Sequence, residues 1–181
     1  MSQSQNTTTL RKLAYSAICV ALSVVLSKIS LFEMPQGGTV TACSMLFISL
    51  VGYWYGVRAG ITAGLAHGLL HLFFGAHIVH PAQYVLDYLL AFGALGLSGF
   101  FRGKSKGLYY GYIVGLAGKF LFAFISGVIF FAEYAPIGQH VWIYSALYQL
   151  SYIIPEMIIT LIVISLPPVR KAIERLAPIT P

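Results

Sequence analysis

Polar residues are so sparse along this chain that the intervals between them read as structural elements. Six apolar runs stand out, at about residues 12–32, 41–56, 59–76, 82–101, 108–132 and 141–166. A helix that crosses a bilayer needs roughly 20 mainly apolar residues. The second and third runs are short, and Arg58 sits between them in "YGVRAG". All six are continuous, without the polar alternation of an outer-membrane barrel, so the pattern predicts helices and disfavours strands.

Composition agrees with this pattern. Hydrophobic residues make up 58% of the 181 positions and charged residues only 9%, against roughly 25% charged in a soluble domain. So few charges cannot cover a water-facing surface, which makes the expected fold class an all-α integral membrane protein. The opening "MSQSQNTTTLRK" lacks the basic region and cleavage site of a signal peptide. Cys19 and Cys43 are isolated in apolar sequence and suggest neither a disulfide framework nor a metal site.

A formal charge of +6 raises the question of nucleic acid, but the placement of the charges answers it otherwise. Arg11, Lys12, Arg58, Arg102, Lys104, Lys106, Arg170, Lys171 and Arg175 would all fall on one side of a six-helix bundle, nine of the eleven Lys and Arg. Lys28 lies near the far end of the first run, and Lys119 lies within the fifth. Basic loops stay in the cytoplasm, so both termini are expected there. The division is then a single membrane domain. It comprises a polar cytoplasmic N-terminus over 1–11, a six-helix bundle over 12–166 and a cytoplasmic tail over 167–181.

The opposite side receives "LFEMPQGGTVTA", "GAHIVHPAQ" and "FAEYAPIGQH". Asp87 lies about five residues into the fourth run, roughly 8 Å below its outer end at 1.5 Å per residue. A carboxylate at that depth is costly unless it faces protein, water or a cation, and it marks a functional site. Gln83 precedes it by one helical turn, with Tyr84 beside Gln83 and Tyr88 following Asp87. In the fifth run Gly127 permits close approach, and Phe130, Phe131 and Tyr134 add aromatic surface. In the sixth, Tyr144, Tyr148 and Tyr152 recur every four residues, with Ser145 and Gln149 on the adjacent face. Pro155 is expected to kink that helix and free a carbonyl.

Lys119 and Glu156 lie deeper, about 16 Å from the inner end and 22 Å from the outer end of their helices. An interhelical ion pair is the expected arrangement. His71, His77 and His80 lack the further ligands that would complete a zinc site. His in a short outer loop is more often solvated or capping. Ala17 and Ala21 form a small-xxx-small pair that suits close helix packing, within the chain or against another subunit. No phosphate-binding loop, nucleophile elbow or HExxH stretch occurs, and without an internal repeat the chain is small for a self-sufficient transporter.

"MPQGGTVT", "RAGITAGLAHGLLHL", "HPAQYVLDYLLAFGALGLSGFFR", "KFLFAFISGVIFFAEYAP" and "YSALYQLSYIIPE" resemble the thiamine-specific substrate-binding (S) subunits of energy-coupling factor transporters, in order and spacing, over roughly residues 10–168. The resemblance implies a six-helix S-component fold in a prokaryotic cytoplasmic membrane, with no enzymatic activity and no cofactor. It implies a vitamin pocket near the outer face, capped by the loop between the first two helices. It also implies partnership with a transmembrane coupling subunit and two cytoplasmic ATPases, docked through Ala17 and Ala21. The substrate-binding set on this reading is Gln83, Asp87, Tyr88, Gly127, Phe131, Tyr144, Tyr148 and Gln149. Two positions depart from the family: Ala123 stands where His is common and Gln149 where Asn is common. They leave open an S-component for a thiamine precursor or another heterocyclic vitamin. From a different class, a small membrane enzyme would use the His71, His77, His80 and Asp87 cluster, while a purely structural subunit would leave Asp87 without a task.

Overall fold

The structure, a computed structural model, describes residues 3–35 and 37–177. Met1 and Ser2 of the anticipated N-terminal segment, Gln36 of the cap loop and residues 178–181 of the tail lie outside the described residues. Seven helices can be followed: α1 (Gln3–Leu26), α2 (Ser44–Tyr55), α3 (Val57–His71), α4 (Pro81–Phe101), α5 (Gly107–Phe130), α6 (Val141–Ser165) and α7 (Pro167–Leu176). Four stretches are long and apolar enough to cross a membrane: Thr7–Leu26, Pro81–Phe101, Gly107–Phe130 and Val141–Ser165. At 1.5 Å per residue, α2 and α3 reach about 18 and 22 Å, short of a hydrocarbon core ~30 Å thick.

The pattern is inverted relative to a soluble bundle. On α6, Ile143, Leu147, Ile154, Ile158 and Ile162 face outward, while Ser145, Gln149, Glu156 and Thr160 are buried. Apolar residues outside and polar residues inside suit a solvent of lipid tails, where polar groups must be satisfied internally. The helix runs unbroken through Pro155. α2 occupies the centre, with Met45, Leu46, Ile48, Leu50, Val51 and Trp54 all in the core, as befits a helix apolar on every face.

One expectation is corrected at the first connection. The first apolar run extends to residue 32 in sequence, but α1 ends at Leu26 and the chain turns into a strand. β1 (Ser30–Glu33) pairs antiparallel with β2 (Thr39–Thr41), with Phe32 opposite Val40 and Glu33 opposite Thr39. Pro35 and Gly37 (φ 98°) fall in the turn, and the Gly37 N–H donates to the Met34 carbonyl at 2.8 Å. Leu31 and Phe32 prolong the apolar run without prolonging the helix, because the turn chemistry and the β-branched Thr39-Val40-Thr41 strand favour a hairpin.

α3 and α4 touch backbone to backbone. A Cβ at Gly60 would lie 2.6 Å from the Gly96 Cα, and one at Gly64 would lie 2.6 Å from the Phe92 carbonyl carbon. Gly68 abuts the Tyr88 carbonyl in the same way. Three glycines four residues apart form a groove that accepts α4, the small-residue packing typical of helices in lipid. This contact matters because α4 carries much of the polar chemistry.

Candidate functional site

α4 is not a uniform helix. Pro81–Tyr84 is α-helical, Val85–Leu90 is a π-helical turn, and Leu95–Phe101 tightens to 3-10. π-turns bond i to i+5 and occur often at functional sites. Here the widened turn holds Asp87 and Tyr88. Gln83 is 2% exposed and donates through Nε2 to Asp87 Oδ2 at 2.6 Å, so the shared face expected from their spacing is present and the two are bonded across it. Tyr84 goes elsewhere: its hydroxyl donates to the Gly68 carbonyl at 2.8 Å, which locks α4 to α3 rather than lining a polar face with Gln83.

A cavity of about 410 Å³ opens above this turn. It gathers Gln83, Asp87 and Tyr88 from α4 and Gly127 from α5, with Phe131 just beyond. From α6 it takes Tyr144, Tyr148 and Gln149. These eight residues, nominated from sequence, share one cavity with Phe92, Lys119, Ala123, Ser145 and Tyr152, and with His77 and Tyr134 at its margin. The tyrosine stripe of α6 lies along one wall with successive ring centroids 6.2 and 6.1 Å apart.

The hairpin covers the cavity. Gly37, Gly38 and Thr39 line it, and a Cβ at Gly38 would come within 3.1 Å of the Tyr152 Cγ. Glycine is therefore what lets the cap lie flat on the Tyr152 ring.

The deep charges depart from expectation. Glu156 does not pair with Lys119. Its carboxylate accepts from the Thr41 N–H at 3.0 Å, from the Thr41 hydroxyl at 2.8 Å and from the Ser44 hydroxyl at 3.4 Å. Once the hairpin folds onto α6 it supplies these donors within hydrogen-bond reach, and no ion pair with the Lys119 ammonium forms. Arg170–Glu174 is the one ion pair among the described residues. Lys119, also buried, holds its ammonium 5.0 Å from the Phe92 ring centre and 5.4 Å from that of Tyr152. Such cation–π contacts are worth on the order of 2 kcal/mol when desolvated. The cavity thus contains one carboxylate, one ammonium, two amides and an aromatic lining.

Gln149 is already engaged. Its Nε2 donates to the Ala123 carbonyl at 3.2 Å, and its Oε1 accepts from the Tyr152 hydroxyl. Residues 123 and 149, singled out together from the sequence, are therefore neighbours. Gly127 serves a helix as well as the cavity, for a Cβ there would meet the Ser145 side chain at 3.1 Å.

The histidines separate. His80 accepts from the Ala82 N–H at 3.1 Å and caps α4. His77 donates its backbone N–H to the Tyr88 hydroxyl at 3.1 Å. His71 and His67 share a hydrogen bond of 3.0 Å between their Nε2 atoms, against Phe92. Phe92 was not nominated from sequence. It lies five residues after Asp87, off its face in a regular α-helix, and only the π-turn aligns the two.

Polar residues inward, isoleucines outward and one capped chamber between helices define a multi-pass membrane protein that binds a small molecule in its interior. The model of the family described as thiamine transporter protein matches residues 13–175, and the chain belongs to that family. It is 37% identical to the thiamine transporter ThiT of Bacillus subtilis, over 92% of this chain and 93% of that one. It is 31% identical to the ThiT of Lacticaseibacillus paracasei, over 61% and 60% of the two chains. A solved structure of ThiT from Listeria monocytogenes superposes with a TM-score of 0.74 at 25% identity, covering 89% of this chain and 97% of that one. The resemblance read from the five motifs is borne out at the level of the family, which is one of transporters and not of enzymes.

Proposed function

We propose that this protein captures thiamine in the chamber above Asp87 and delivers it for uptake, as the S subunit of an energy-coupling factor transporter. The observation that carries this reading is the Gln83–Asp87 pair, bonded at 2.6 Å inside an aromatic chamber. Thiamine has a fixed positive charge on its thiazolium and an aminopyrimidine that donates and accepts. Asp87 compensates the charge or accepts from the amine, and Phe131, Tyr144 and Tyr148 provide faces for the rings. No bond of the ligand is made or broken. The chain acts as a single membrane domain of six spans, α2 and α3 being the short ones, with both termini in the cytoplasm by the distribution of Lys and Arg. Ala17 and Ala21, both exposed on α1, form the face for a transmembrane coupling subunit that works with two ATPases.

Calorimetric titration with thiamine, beside Asp87→Ala, tests the binding step. Tight stoichiometric binding is expected, weakened in the variant by roughly 2–5 kcal/mol, the cost of truncating one partner of a buried charge contact. Absence of heat with a folded wild-type protein would overturn the assignment. A thiamine precursor is the second reading, kept open by the residue types at 123 and 149, and the same titration with the isolated aminopyrimidine tests it.

A further inference from the structure

At the opposite end of the bundle, where the basic residues gather, a second cavity of about 560 Å³ lies between the end of α2, the start of α5 and α7. Its floor is apolar, made by Leu108, Ile164 and Ile173, all buried. Its rim is rich in donors. Lys106 is exposed and held in a left-handed conformation (φ 55°) immediately before α5. Arg170 bonds Glu174 through Nε at 2.8 Å, which leaves its two terminal amino groups for another partner. Tyr53 and Tyr109 also line the cavity, each with a phenol hydroxyl able to donate. Glu174 is the only carboxylate in the lining, and its pairing with Arg170 leaves one net positive charge there, that of Lys106.

Cations and hydroxyl donors over an apolar floor suit a ligand with an anionic head and a hydrocarbon body. α7 has the form of an interfacial helix, with Arg170, Lys171 and Arg175 exposed and Ile173 turned inward. Arg58, Arg102 and Lys104 add positive charge at the same end. We propose that this cavity binds one anionic phospholipid, its phosphate at Lys106 and Arg170 and one acyl chain along Leu108, Ile164 and Ile173. The leaflet that supplies the lipid rests on the orientation proposed above; the site itself does not.

The test uses the full chain, delipidated in detergent and titrated with phosphatidylglycerol, with bound lipid counted by native mass spectrometry. Phosphatidylcholine of the same acyl chains and inorganic phosphate form the other arms. One phosphatidylglycerol is expected to bind, with Lys106→Gln and Arg170→Gln each weakening it about fivefold. Lys171→Gln, on the same helix but outside the cavity lining, is expected to leave binding unchanged. Tyr109→Phe gives a milder variant, with circular dichroism confirming the helical fold of each. Equal binding of phosphatidylcholine, displacement of the lipid by inorganic phosphate, or an equal loss in Lys171→Gln would each overturn the proposal. No arm uses thiamine, so failure here is separable from failure of the vitamin reading.

Discussion

Glu156 on the last long helix holds Thr41 at the base of the cap, through the backbone N–H at 3.0 Å and the hydroxyl at 2.8 Å. The two residues are 115 apart in sequence, and the bond ties the strand that leaves the cap to the helix that bears the tyrosine wall. Glu156→Ala strands the buried Thr41 N–H. It is expected to lower stability by about 1–3 kcal/mol, seen as an earlier thermal transition in detergent. Glu156→Gln supplies both an acceptor for the N–H and a donor for the hydroxyl, so it should recover most of the loss. Equal losses in the two variants would show that charge, and not these hydrogen bonds, is what matters at Glu156.

Ala123 and Gln149 are expected to act as a unit, because the Gln149 amide, bonded to the main-chain carbonyl of residue 123, lies beside the side chain at that position. A His at 123 would enter the space that Gln149 now spans. Thiamine affinities of Ala123→His, Gln149→Asn and the double variant should be non-additive, with a coupling energy of about 0.5–3 kcal/mol. Calorimetry on the four proteins measures it. Strict additivity would mean that the two positions contribute separately to the chamber.

Gly64→Ala is expected to destabilise the protein by roughly 1–3 kcal/mol, as overpacking does, because its new methyl meets α4 backbone that cannot move aside. Gly93→Ala is the internal control. A Cβ there lies 3.6 Å from a Leu65 methyl, an ordinary contact, and the better helix propensity of Ala should leave stability equal or higher by up to ~1 kcal/mol. Thermal unfolding of both in one detergent separates close helix approach from a general dislike of added methyls.

Much of this was legible in one dimension. Lipid selects continuous apolar runs, so helices, their approximate limits and the side occupied by basic residues follow from local composition. The shared face of Gln83 and Asp87 and the Tyr144–Tyr148–Tyr152 wall follow from helical spacing alone. The polar residues that line the chamber were legible because a polar group in an apolar run is costly and must face something.

Three features depended on tertiary contact. The hairpin at Ser30–Thr41 continues an apolar run, and it is distinguished from helix by turn chemistry and by the Glu156 bonds that only the folded bundle brings to it. The partner of a buried charge is likewise non-local. Glu156 found Thr41 and Ser44 nearer than Lys119, and Lys119 found the rings of Phe92 and Tyr152. Finally, Phe92 joins Asp87 in the chamber because the chain widens to a π-turn where α4 packs on the glycines of α3. Periodicity states which residues share a face of a regular helix. Where packing makes the helix irregular, the shared face is decided by the neighbouring helix.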